Sequence, residues 1–159
     1  MAGIKFVIVM LVIIDQLFKI WAYNVTAMGD FTIIPGLFKI SYVENYGAAF
    51  NLFDGARWLL VGVTAVLLIV IAYLIFSKRI TEDTIVSGLC LILAGGFSNM
   101  FDRILKGYVV DCLDFSALFN FPVFNFADIC VVLGAAMLIY YIAIEEPKKK
   151  KAAVEEPQA

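Results

Sequence analysis

Four long apolar stretches alternate with polar connections along the chain: about Phe6–Tyr23, Trp58–Phe76, Ile85–Phe101 and Ala127–Ile144. Each approaches the roughly 20 residues that carry a helix across a bilayer, so the pattern predicts four spans. The first stretch follows Lys5 as a secretory signal would. Asp15 and Lys19 interrupt it, however, and no small-residue cleavage site is convincing, which makes it a retained span. Between the first two spans, FTIIPGLFKISYVEN (31–45) places β-favouring residues on both sides of Pro35-Gly36, with alternation at Phe38, Ile40 and Tyr42. This predicts a turn and a small sheet on the outer membrane surface. Without internal repeats, residues 1–144 read as one integral-membrane domain, and 145–159 (EEPKKKKAAVEEPQA) as a charged, disordered tail.

Composition agrees with the pattern. Of 159 residues, 63% are hydrophobic and 16% charged, with a mean hydropathy of +0.94. That is too apolar for a soluble domain and predicts an all-α membrane protein. The one basic run, Lys148–Lys151, has no interleaved aromatics, so nucleic acid is not an expected partner. An even number of spans puts both termini beside the 77–83 loop, where Lys5, Lys78, Arg79 and Lys148–Lys151 gather. The positive-inside bias then makes the termini cytoplasmic.

Histidine is absent, which removes Ser-His-Asp and Cys-His pairs and HExxH zinc sites together. The scattered Cys90, Cys112 and Cys130 have no metal-ligand spacing and read as small buried hydrophobes. Proton chemistry is left to carboxylates, lysines and tyrosines.

The polar residues that interrupt the apolar text fall at the outer ends of the spans. They are Asp15 and Lys19, Asn45 in NYGAAF (45–50), Asn99, Asp102 and Arg103 in GGFSNMFDR (95–103), and Asp111, Asp114 and Asp128. On a helix Gly95, Gly96, Asn99, Asp102 and Arg103 share about one third of the circumference, so the glycines would admit a neighbouring helix beside a polar seam. The Asp102–Arg103 pair could equally do no more than end the helix. Asp15 and Lys19, spaced i,i+4, can neutralise each other. Asn125 suits the N-cap of the last span with Asp128 at N3, a capping box, which is compatible with Asp128 also serving as a base. Two carboxylates held close share one proton, an arrangement suited to amide hydrolysis. Asp128 has two candidate partners, Asp111 and Asp114, and composition does not choose between them.

The stretches DQLFK (15–19), NYGAAF, GGFSNMFDR, GYVVDCLDF (107–115) and FNFADICVVLG (124–134) resemble, in order and spacing, the motif set of signal peptidase II, the bacterial lipoprotein signal peptidase, from about residue 11 to about residue 141. The resemblance implies four transmembrane helices with a small extracytoplasmic β-cradle and a short interfacial helix. It implies an intramembrane aspartic endopeptidase that removes signal peptides from prolipoproteins before a diacylglyceryl-modified cysteine. Asp111 and Asp128 match the catalytic dyad. Asn45, Asn99, Asp102, Arg103 and Asn125 match its polar surround, and Asp15 and Lys19 a supporting pair; Gly47 is expected among the substrate-binding or supporting residues. No metal or cofactor is implied; the partners are lipidated prolipoproteins and membrane lipid, the setting is the bacterial inner membrane, and the chain is expected to act as a monomer. Gly47, Ala48 and Ala49 are small enough for close peptide approach, and equally suit a tight turn entering a short interfacial helix. Cys112 departs from the family, where a larger apolar residue, usually phenylalanine, is expected, and Asp114 is a second nearby carboxylate.

Other readings fit less well. A Ser/Lys peptidase through Ser41 or Ser98 needs a deprotonated lysine beside the serine, and strand alternation puts Lys39 and Ser41 on an exposed face. A lipid phosphotransferase lacks the expected glycine and arginine pattern around DCLDF. A small ion- or proton-coupled transporter would carry polar residues through the full membrane depth, and here the inner halves are nearly clean.

Overall fold

A computed structural model describes residues 2–47, 52, 53, 55–117 and 121–155. The helices are α1 (Ala2–Val25), α2 (Arg57–Phe76), α3 (Asp83–Leu105) and α4 (Phe126–Tyr140). A π-helical turn, Tyr141–Glu145, carries α4 on into α5 (Glu146–Glu155). Three strands, β1 (Phe31–Ile34), β2 (Phe38–Asn45) and β3 (Val109–Asp114), form one antiparallel sheet in the order β1-β2-β3. The helix α3 is central and packs against α1, α2 and α4.

Polarity is inverted relative to a soluble domain. Lys19, Asn125, Asp15, Asp102 and Ser98 are among the largest fully buried side chains, while Val63, Val66, Leu67 and Ile69 on α2 face outward. Outward apolar faces with enclosed polar groups suit a hydrocarbon surround. Among the described residues three helices are long and apolar enough to cross a membrane: Arg57–Phe76, Asp83–Leu105 and Phe126–Lys151.

Gly95 and Gly134 make the α3–α4 contact. A Cβ on Gly95 would lie 2.2 Å from the Ala127 carbonyl oxygen, and one on Gly134 would lie 2.5 Å from the Gly88 carbonyl oxygen. Such backbone approach excludes any side chain at these positions. Gly96 corrects the expected seam: it faces Leu68 of α2 (2.8 Å to a Cβ) and not α4. Adjacent helical residues point about 100° apart, so one glycine serves each neighbour.

The sheet begins with the anticipated turn. Gly36 takes φ +72°, and Leu37 N–H donates to Ile34 O at 3.0 Å. Register shifts between Ile40 and Val43, and this bulge changes the expected exposure of β2. Lys39 is half-exposed and Ser41 is buried against Asp114, so the open face predicted for that pair does not form. Stacked rings of Phe38, Phe115 and Phe124 pack beneath (centroids 4.4 and 5.9 Å).

Lys5 lies over the Phe76 ring, Lys149 pairs with Glu82, and Thr84 Oγ1 donates to Glu145 at 2.9 Å. The start of α1, the end of α2, the start of α3 and the end of α4 therefore share one end of the bundle, and the sheet lies at the other. The tail also departs from expectation, being helical through Glu155. Pro147 falls in the first turn of α5, just after the π-helical turn, where its missing N–H is tolerated, and Lys150 pairs with Glu146 one turn back (2.6 Å). Ala48, Ala49 and much of the stretch expected to form an interfacial helix lie outside the described residues.

Gly95→Ala is expected to lower unfolding stability in detergent by about 1–3 kcal/mol, the usual cost of overpacking. Gly62→Ala, with nothing within 4 Å of the added Cβ, should leave it near the parent. Equal melting temperatures for the two variants would contradict the contact.

Candidate active site

Five segments meet at the sheet end of the bundle. The helix α1 contributes Asp15, Gln16 and Lys19; α3 contributes Ser98, Asn99, Asp102 and Arg103. Asn45 closes β2, Asp111 sits in β3 opposite Val43, and Asn125 and Asp128 open α4. Asn125 is the N-cap: its Oδ1 accepts from Asp128 N–H at 2.9 Å, and its own N–H donates to Asp128 Oδ2 at 3.1 Å. The capping box expected from FNFAD is present, and it orients the Asp128 carboxylate.

The other end of the Asn125 side chain reaches Asp111. Its Nδ2 donates to Asp111 Oδ1 at 2.7 Å, while Asn45 Nδ2 donates to Asp111 Oδ2 at 2.9 Å. Asn99 Nδ2 donates to Asp128 Oδ1 at 2.8 Å. One asparagine thus bridges the two carboxyl groups and two more flank them. Asp111 is buried and Asp128 half-buried, which leaves one side of the pair open.

Behind them lies a buried ion cluster. Lys19 Nζ sits 2.7 Å from Asp15 Oδ2 and 2.8 Å from Asp102 Oδ2, and donates to Asn99 Oδ1 at 3.1 Å. Asp15 Oδ1 accepts from the N–H of Ala127, the residue before Asp128, at 2.8 Å. Asp102 Oδ2 accepts, at 3.4 Å, from the N–H of Val110, the residue before Asp111. Lys106 adds a second cation on Asp102 at 2.8 Å. Arg103 Nη2 donates to Gly47 O at 2.7 Å, and its buried Nε has no hydrogen-bond partner among the described residues.

Asp111 and Asp114 are held in different electrostatic states. Burial pushes the Asp111 carboxyl up to about 6; the Asn45 hydrogen bond opposes this, and the Asp128 charge adds to it. At Asp114 burial also raises the carboxyl, but donors from Ser116, Ser41 and Lys39 outweigh it and hold the group below the usual range. Ser41 Oγ donates to Asp114 at 3.0 Å and Lys39 Nζ lies 3.3 Å away. Asp114 is thereby tied into the sheet. Cys112 is fully buried beside Ala22 and Ile40, and burial pushes its thiol up to about 12, far from thiolate character.

The structure brings Asp15, Lys19, Asn45, Gly47, Asn99, Asp102, Arg103, Asp111, Asn125 and Asp128 to one end of the bundle and turns Asp114 aside into the sheet, while Ala48 and Ala49 lie outside the described residues. Sequence reasoning passed over Gln16 and weighed Ser98 only as a nucleophile. Ser98 Oγ donates to Asp15 at 2.6 Å and accepts from Gln16 Nε2 at 2.9 Å. The i,i+4 spacing of Ser98 and Asp102 was the available signal. Among the described residues no group of three or more Cys, Asp and Glu is placed to hold a metal ion.

The helical bundle, apolar on its outer faces, encloses a pair of carboxyl groups at one end. Comparison with known proteins gives its family. The family model described as Signal peptidase (SPase) II matches residues 7–144. A lipoprotein signal peptidase of Clostridium acetobutylicum is 36% identical over 141 residues, covering 87% of this chain and 92% of that protein. One from Lactococcus lactis subsp. cremoris is 36% identical over 146 residues, covering 91% and 95%. A bacterial membrane enzyme solved by the in meso method at 2.3 Å resolution superposes with a TM-score of 0.82 at 26% identity, covering 100% of this chain and 95% of that one. The chain belongs to the signal peptidase II family.

Two outcomes are expected. Lys19→Met leaves Asp15 and Asp102 buried without their shared cation and should destabilise the protein by about 3–5 kcal/mol; an unfolding midpoint unchanged from the parent would contradict the cluster. Because the Asp111 carboxyl is raised, folding disfavours its ionised form. That cost is absent below the ordinary carboxylate value and is complete above about 6. The stability of the parent relative to Asp111→Asn should therefore fall between about pH 4 and about pH 6 and level off above. A difference that stays flat or grows with pH would show that the carboxyl is not raised.

Proposed function

We propose that this chain is an aspartic endopeptidase of the cytoplasmic membrane. It removes the signal peptide from diacylglyceryl-modified prolipoproteins, cutting before the lipidated cysteine, with Asp111 and Asp128 as the catalytic pair. The observation that carries this reading is the bridge made by Asn125, which binds one carboxyl through its side-chain amide and the other through its capping box.

Like charges brought together retain one proton between them, and the raised Asp111 group fits a shared proton. The ionised member takes a proton from water as the water oxygen adds to the scissile carbonyl carbon. The protonated member gives its proton to the carbonyl oxygen. When the carbon–nitrogen bond breaks, the newly protonated carboxyl gives its proton to the departing amine, the other carboxylate takes a proton from a hydroxyl of the tetrahedral carbon as the carbonyl re-forms, and the pair returns to its starting state with one proton. The buried Arg103 Nε, without a partner among the described residues, is a spare donor in the surround of the pair, and Asn45, Gly47 and Asn99 hold that surround in place. Asp15, Lys19 and Asp102 support the pair from behind.

In this reading α1 is a fourth span, residues 1–144 act as a single protease domain, and the chain works as a monomer. Both termini are cytoplasmic, because Lys5, Lys78, Arg79 and Lys148–Lys151 belong to the end opposite the site. The site then lies near the outer leaflet. Burial of substrate acyl chains adds to recognition by about 0.8 kcal/mol per methylene. The transporter alternative has no support in the relatives or in the one-ended polar cluster.

Asp111→Asn and Asp128→Asn should each reduce prolipoprotein processing in membranes by about 10²–10⁴-fold or more, the usual weight of a general acid or base. Asp114→Asn should retain substantial activity. Normal insertion with parent-rate cleavage by either dyad variant would dismiss the assignment.

A further inference from the structure

Arg57, the first residue of α2, has no part in the chemistry above, yet it is built into the same end of the bundle. Its Nε donates to Arg103 O and its Nη2 to Ile104 O, each at 2.7 Å. The last carbonyls of a helix have no partners within it, and a cation there meets the negative end of the helix dipole. The planar fork of a guanidinium matches two neighbouring carbonyls in a way an ammonium cannot. The Trp58 ring holds the group from the side, 4.7 Å from its central carbon.

Two routes lead from this clamp to Asp111. The first is a chain of hydrogen bonds. Arg103, whose carbonyl Arg57 grips, donates through Nη2 to Gly47 O at 2.7 Å; Gly47 N–H donates to Asn45 Oδ1 at 3.0 Å; and Asn45 Nδ2 donates to Asp111 at 2.9 Å. The second is the backbone. Gly107 N–H also donates to Arg103 O, at 3.2 Å, and Gly107 turns with φ +94° into β3, which carries Asp111. A Cβ on Gly107 would stand 3.4 Å from Arg57 Nη1, so clamp and turn are in contact.

We propose that Arg57 is a positioning residue for the peptidase reaction: by fixing where α3 ends, it fixes Asn45 and β3, and through them the Asp111 carboxyl. This inference rests on the protease reading. The alternative is a helix cap that contributes stability and nothing else. The two differ at Asp111. Groups facing that carboxyl are Asp128 and Asn125 from α4 and its cap, Lys19 from α1, Arg103 from α3 and Asn45 from β2. Of these, Asn45 is the one whose hold depends on the Arg57 chain, and its donor lowers the carboxyl's proton affinity.

The test uses full-length protein in detergent–lipid micelles and a synthetic diacylglyceryl-modified peptide. Parent turnover is measured first; no cleavage there overturns the protease reading and this inference with it. Given parent cleavage, Arg57→Gln should lower kcat by about 10-fold or more, toward the about 100-fold that a small misplacement can cost. KM should change little, and the limb of the pH profile belonging to Asp111 should move to higher pH. Arg57→Lys keeps the charge without the fork and should fall between parent and Arg57→Gln on both readouts. Full turnover with an unmoved limb in Arg57→Lys overturns the assignment and leaves the protease reading intact. So does a loss in Arg57→Gln that only tracks the folded fraction while the limb stays in place.

Discussion

A single buried ammonium organises this end of the molecule. Lys19 is fully enclosed, and an unpaired charge in that setting costs several kcal/mol. Its partners Asp15, Asp102 and Asn99 satisfy it completely. Each anionic partner then uses remaining capacity on a backbone N–H: Asp15 on Ala127 and Asp102 on Val110. Those residues immediately precede Asp128 and Asp111. Charge neutralisation inside the bundle and the spacing of the proposed dyad are therefore set by the same three side chains.

Asparagine does the remaining work for a shared reason. Asn99, Asn45 and Asn125 each have their oxygen occupied from one side, by Lys19 Nζ, Gly47 N–H and Asp128 N–H respectively. Each amide nitrogen is thereby turned toward a carboxyl of the pair. Aspartate in these places would add charge to a crowded site, and serine is too short to span the gap between two partners. Neutral donors leave room for a proton to be retained, where a cation in direct contact would drive both carboxyls to ionise. Asp114, in contact with Lys39, is in that second situation.

Local periodicity made much of this legible. The capping box at Asn125 and Asp128 follows from residue types three apart, and the convergence of polar residues at one end of the bundle follows from helices that run alternately up and down. What the chain conceals is register. Asp111 and Asp114 stand three apart in a strand, so their side chains leave opposite faces. Sequence implies that one of them turns away from Asp128 without saying which; the pairing of Val43 with Asp111 and the bulge after Ile40 decide it. Ser41 was misread for the same reason. Arg57 was hidden differently: its partners are main-chain carbonyls, which leave no trace in residue identity. The helical tail went unseen because its lysines read as a solvated run, whereas Lys149 and Lys150 have acidic partners at Glu82 and Glu146.

Helix packing and site geometry are coupled through Ala127. Its N–H is held by Asp15 of α1, and its carbonyl oxygen occupies the space that any side chain at Gly95 of α3 would need. The peptide units on either side of this alanine are therefore fixed by two different helices, one residue before Asp128. A looser α3–α4 contact would shift that carbonyl, then the first turn of α4, then the capping box that orients the carboxylate. Close-packed interiors transmit such displacements because they have no slack to absorb them. Gly95 can thus bring no side chain to the site and still be required for the geometry on which a proton-sharing pair depends.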